Sequence, residues 1–165
     1  MKKEIINIVW IKRDLRSQDH EPLFKAEEEG IPYIIIYMFE PSIIKYPDTS
    51  PRHLQFVYHS IQHLNKVLNP FKRKINICNG EAEDIFNFLQ NQFIIKNIFS
   101  YQESGTNTTF NRDKKIALFC TKNGIIWQEF QRDGVLRGIT NRDDWSKLWH
   151  QKMHAPVIYN QYSIS

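Results

Sequence analysis

Trp10-Ile11-Lys12-Arg13-Asp14-Leu15-Arg16, running on to Asp19-His20, gathers an indole, three basic side chains, two carboxylates and an imidazole within eleven positions. Charge of both signs just past an apolar run can do one of two things. It can hold a polar or anionic ligand, or it can fix a strand-to-helix turn through ion pairs and caps. The second use is expected for Asp14 and Arg16, whereas Arg13 is expected to reach into a crevice.

The remaining polar clusters offer little chemistry. His59 and His63 are four apart on a predicted helix, a spacing that suits a metal pair. No glutamate stands beside them as in a zinc protease and no third ligand is evident, so a solvated face is expected; His150 and His154 read the same way. Cys78 and Cys120 lie in no CxxC or Cys/His pattern, so buried reduced thiols are expected, which favours a cytoplasmic protein. Neither a GxGxxG fingerprint nor a Walker A loop occurs among the six glycines. Nothing resembles a Ser-His-Asp triad, a nucleophile elbow or a paired-carboxylate glycosidase site. No catalytic residue and no metal ligand is therefore assigned. Two predicted helix N-termini could face an anion. The one after Gly80 is crowded by Glu81, Glu83 and Asp84; the one at Ser104-Gly105-Thr106-Asn107-Thr108-Thr109 is richer in small donors and reads as either a capping loop or a ligand loop.

The elements that must position these groups follow from periodicity. Ile5 to Trp10 is almost continuously apolar, as in a strand buried on both faces. Asp19 is expected to open the next helix, Pro22 to Glu29, which Gly30 stops. Tyr33 to Phe39 is the most apolar run and is expected to be central. Glu40 to Ser50 reads as a loop. Ser50 then caps the longest helix, with Pro51 in its first turn. Its apolar stripe is Leu54, Val57, Tyr58, Ile61, Leu64 and Leu68. Lys74 to Cys78 is a shorter strand nearer an edge. A helix with Ile85, Phe86, Leu89 and Phe93 inward follows, then a strand at Asn97 to Tyr101. The last unit is a helix from Asn107 or Thr108 to Asn123, stopped by Gly124, and a strand at Ile125 to Phe130. Five strands alternating with four helices predict a doubly wound α/β fold, a Rossmann-like five-stranded parallel sheet with helices on both faces and right-handed crossovers. Residues 1–130 form this domain. Residues 131–165 break the rhythm and read as a linker or interface segment, with a short helix near Trp145 and Trp149.

The chain has 165 residues, a formal charge of +4 and a pI near 9.0. A mildly basic balance permits a polyanionic partner without requiring one. Hydrophobic and charged fractions of 41% and 24% suit a soluble globular domain. No membrane span or signal peptide is read at the N-terminus.

The stretch Trp10 to Arg16, with Asp19-His20, resembles the N-terminal signature of the DNA photolyase/cryptochrome family: an aromatic, a basic residue, Asp-Leu-Arg, and an Asp-Asn pair. His20 departs from that pair. Ser50-Pro51-Arg52 with its helix, Tyr101-Gln102-Glu103, and Asn111-Arg112-Asp113-Lys114-Lys115 are similar to later family segments, in order. Gly134-Val135-Leu136-Arg137-Gly138 and Asp143-Asp144-Trp145 look closest to bacterial cryptochrome-like photolyases. The resemblance implies a strand order of 3-2-1-4-5 and an antenna-type N-terminal domain able to carry a folate, deazaflavin or FMN. It also implies a helical FAD-binding domain, in cis or trans, as partner in light-driven pyrimidine-dimer repair, with damaged DNA reached through that domain. The chain is thus expected to be an isolated domain or truncated homologue, inactive in repair on its own.

With that strand order the first and fourth strands flank a switch point, where the loops after Trp10, Phe39 and Tyr101 converge. The candidate chromophore-binding residues are Trp10, Arg13, Phe39, Glu40, Arg52, Gln102, Glu103 and Asn107. Two other readings stand beside this one. One is a free-standing nucleotide-binding domain of stress-protein or electron-transfer-flavoprotein type. The other is an interaction domain docking through Trp145 and Trp149.

Overall fold

A computed structural model describes residues 3–137 and 141–163; Gly138 of the sequence motif lies outside them. Strand β1 (Ile5–Ile11) is buried from Ile6 onward and occupies the centre of the sheet. Its neighbours are β2 (Tyr33–Phe39) and β4 (Ile94–Tyr101), with β3 (Ile75–Asn79) and β5 (Ile126–Phe130) at the edges. All four pairings are parallel, in the order β3-β2-β1-β4-β5. The sheet has the strand order that the resemblance implied; β2, expected from its apolar run to be central, is internal but lies one place from the centre. Composition reports how buried a strand is, and β1 and β2 are both internal; their order is set by the return of β4 alongside β1.

Helices cover both faces. On one, α4 (Ala82–Gln92) and α5 (Asn107–Asn123) pack Ile85, Phe86, Leu89, Ile116 and Phe119 against Ile8, Trp10 and Ile98. On the other, α1 (Glu21–Glu28) and α3 (Pro51–Leu68) set Leu23, Ala26, Val57, Ile61 and Leu64 against Val9, Ile35 and Phe99. The predicted stripe of α3 holds except at Tyr58, which is 47% exposed. The loop expected after β2 contains a one-turn helix, α2 (Pro41–Ile44). Gly30 and Gly124 take φ of 62° and 67° where α1 and α5 stop, as a glycine C-terminus requires.

The junction at the start of α1 differs from expectation. Asp19 does not open the helix; it sits at φ 52°, and His20 is the cap. The His20 Nδ1 accepts from the Leu23 amide at 3.2 Å, so Nε2 carries the hydrogen and donates to Asp14 Oδ2 at 2.7 Å. The second Asp14 oxygen accepts from the Lys12 amide at 3.0 Å. Asp14 therefore pins the turn, as its sequence position suggested, but through a buried histidine. An Asn at this position would cap the same amide with its side-chain oxygen.

The last element is α6 (Trp145–Met153), followed by an extended strap. Trp145 donates its indole N–H to the Gly134 carbonyl, and Trp149 lies so close to Gly134 that a Cβ there would collide with the ring. The strap returns to the signature loop. Asp19 N–H donates to Ile158 O, and Asn160 accepts from His20 N–H and donates to His20 O, both at 2.9 Å.

Candidate functional site

The sheet order reverses between β1 and β4, and the side chains leaving the C-terminal ends of the strands meet there. Trp10 forms the floor. Its ring is 1% exposed, set edge-on to Phe86 at 5.2 Å and tilted against Trp127 at 5.8 Å. Two cations lie over the indole, the Arg112 guanidinium at 4.8 Å and the Lys12 ammonium at 4.4 Å from the ring centre. A desolvated cation on a tryptophan face is worth about 2 kcal/mol.

Arg112 is the hub. It donates to Glu40 Oε1 at 2.7 Å, to Glu103 Oε2 at 2.5 Å, and to Asp113 Oδ1 at 2.8 Å. Glu103 Oε1 also accepts from Arg13 at 2.9 Å. Lys12 pairs with Asp113 at 3.2 Å and Glu129 at 3.6 Å, and Arg137 joins Glu129 at 3.1 Å. Four cations thus meet four carboxylates, so the network is close to neutral. Burial works against the Arg112 charge, yet Glu40, Asp113 and Glu103 outweigh it and hold the guanidinium charged more firmly than usual. Burial pushes the Glu40 carboxyl up, opposed by Arg112, and draws the Lys12 ammonium down, opposed by Asp113. Glu40 Oε2 is buried without a well-formed hydrogen bond.

The expected site residues divide into four groups. Trp10, Glu40 and Glu103 come together on Arg112, as floor and walls. Arg13 and Gln102 stand at the mouth, where Arg13 is half exposed and Gln102 is half-buried with its backbone amide tied to Phe130 O. Phe39 is turned to the opposite face, where it packs with the α1/α3 core and meets Tyr37 edge-to-face at 5.1 Å, because successive β2 side chains alternate across the sheet. Burial pushes the Tyr37 hydroxyl up to about 12. Arg52 and Asn107 are exposed in the first turns of α3 and α5, and neither joins the ion network described here. The loop before α5 caps it: Thr106 accepts from the Thr109 amide, and the Thr109 hydroxyl donates to Thr106 O.

Lys12, Arg112, Asp113, Glu129 and Arg137 were not among the expected residues. A signal existed for two of them. Thr109, Arg112, Asp113, Ile116, Phe119 and Cys120 follow the inward spacing of α5, which places an Arg-Asp pair on the face turned to the sheet.

Two hollows mark the surface. One, of about 360 Å³, runs between α5 and β5 and borders the ion network, with Asp113, Glu129 and Arg137 at one side and Phe110, Cys120 and Trp127 at the other; the second, of about 550 Å³ and away from the switch point, separates Phe24 and Glu27 from Tyr159 and Tyr162. Among the described residues no group of three or more His, Cys, Asp or Glu is arranged to hold a metal, and no helix is long and apolar enough to cross a membrane. Burial pushes both thiols up, Cys120 to about 11.

An all-parallel 3-2-1-4-5 sheet with this signature turn at its switch point defines a Rossmann-like α/β domain of the photolyase/cryptochrome type. The chain belongs to the DNA photolyase family, whose profile matches residues 7–143. It is similar to cryptochrome DASH of Synechocystis sp. PCC 6803, at 28% identity over 101 residues, covering 58% of this chain and 21% of that protein. Cryptochrome DASH of Xenopus laevis is 24% identical over 129 residues, covering 74% and 25%. The fold matches a solved Synechocystis cryptochrome with a TM-score of 0.79 at 20% identity, over 99% of this chain and 37% of that one. A Sulfolobus tokodaii photolyase, solved with two FAD molecules, matches with a TM-score of 0.75 at 23% identity, over 97% and 38%. The chain spans about a quarter of the length of these curated relatives.

An antenna chromophore would have to find room in the crevice. The floor does not fit a flat conjugated ring, because the Arg112 guanidinium already lies on Trp10 between two carboxylates. The mouth offers Arg13 and Gln102.

Proposed function

We propose that this chain is the N-terminal α/β module of a photolyase/cryptochrome-type flavoprotein. It docks against a helical FAD-binding domain, in cis or in trans, and residues 131–165 lead from the α/β unit toward that domain. A light-harvesting group, a folate, deazaflavin or FMN, is held at the crevice mouth by Arg13 and Gln102. FAD, pyrimidine-dimer repair and damaged DNA belong to the helical domain. The observation that carries this reading is the family match across residues 7–143 on a fold whose signature turn lies at the switch point.

Titrating the purified protein with folate, deazaflavin, FMN and ATP, while recording absorbance, tests the chromophore seat. Saturable binding of a pterin or flavin supports the reading. ATP binding alone would replace it with the free-standing nucleotide-binding domain. Mixing with the separately expressed helical domain of the Synechocystis cryptochrome tests docking, with co-elution on gel filtration expected. The 165-residue chain with added FAD should reverse no thymine dimers under blue light.

A further inference from the structure

We propose that Arg112 is the built-in occupant of the switch-point crevice and the residue that decides what the crevice floor excludes. Its guanidinium lies 4.8 Å from the centre of the Trp10 ring, and its side chain is 11% exposed. Glu40, leaving β2, and Glu103, leaving β4, grip it from two sides at 2.7 and 2.5 Å. An indole face between two carboxylates from different strands is a seat for a planar cation. Planarity suits the stacking, and two donor edges suit the paired oxygens.

A flat neutral or anionic ring therefore reaches Trp10 only by releasing Arg112, which would strip the buried Glu40 of its ion-pair partner and leave Glu103 to Arg13 alone. The floor is closed to such rings, and any chromophore is confined to the mouth. This inference concerns the crevice of the reading above but rests on this chain's own side chains.

The test removes the occupant and offers a substitute. Arg112→Ala should melt well below wild type. Benzamidinium, a planar cation, should restore the melting temperature saturably and quench tryptophan emission. Neutral benzamide should do neither, wild type should not respond, and adding Glu40→Gln and Glu103→Gln should abolish the rescue. An Arg112→Ala protein that melts like wild type and ignores benzamidinium would overturn the proposal. Should that variant fail to fold, the Arg112 Nε–H resonance of wild type decides: it should be protected from exchange and unmoved by excess FMN. Its release on adding FMN would overturn the proposal. Failure of folate binding or of domain docking would reject the earlier reading and leave these readouts unaffected.

Discussion

Trp10 carries more of the architecture than its place in a signature would suggest. It is the floor of the crevice and a member of the core under α4 and α5. Truncation to alanine removes that packing and both cation contacts, so Trp10→Ala should lose about 3–5 kcal/mol in urea unfolding. A loss below about 1 kcal/mol would mean that the ring is not buried. Asp14 is the second decisive residue. Burial alone would raise its carboxyl, but the His20 ring and the Lys12 amide outweigh burial and hold it below its ordinary 3.8. With a native value lower than the unfolded one, the unfolded chain binds the proton first. The stability Asp14 contributes is complete above pH 3.8 and is lost as pH falls through the lowered native value. On acidification from neutral pH to below 3.8, wild type should lose more stability than Asp14→Asn. Equal losses in denaturant titrations at both pH values would contradict this.

At the scale of elements, the caps and stops were legible because they depend on local chemistry. Ser50 accepts from the His53 amide as its position before Pro51 predicts, and Gly124 ends α5 in the left-handed region. The start of α1 was misplaced by one residue because its cap is a histidine oriented by a carboxylate six positions earlier. Both His20→Asn and His20→Ala remove the donor to Asp14, but only His20→Asn keeps the cap, so His20→Ala should cost about 1 kcal/mol more. Thermal melts of the two variants measure this difference, and equal melting points would deny His20 its capping role. The crevice walls were legible as strand ends, which is why Glu40 and Glu103 could be named. Their partner was legible only as an inward position on α5; that Arg112 lies on Trp10 between them follows only once the helix is laid on the sheet.

Across the whole molecule, the strap after α6 is tied back to the signature loop. Asn160 is 7% exposed and bonds both backbone groups of His20, while the Gln18 amide bonds both backbone groups of Asn160. Asn160→Ala should leave the buried His20 N–H without its partner and the His20 C=O with the Phe24 amide alone, and lower stability by about 1–3 kcal/mol. Amide exchange should then quicken along residues 17–20. Exchange unchanged there would show that the strap does not hold the loop.

The sequence alone determined the alternation of strands and helices, the parallel sheet, the helix caps at Ser50 and stops at Gly30 and Gly124, and the family. Each depends on periodicity or on residues close together in the chain. The tertiary structure alone decided that His20 caps α1 under Asp14 and that the strap closes on the signature loop. It also decided that Arg112 lies on Trp10 between Glu40 and Glu103. Those groups are separated by as many as 102 positions, and only the return of β4 beside β1 brings them within hydrogen-bonding distance.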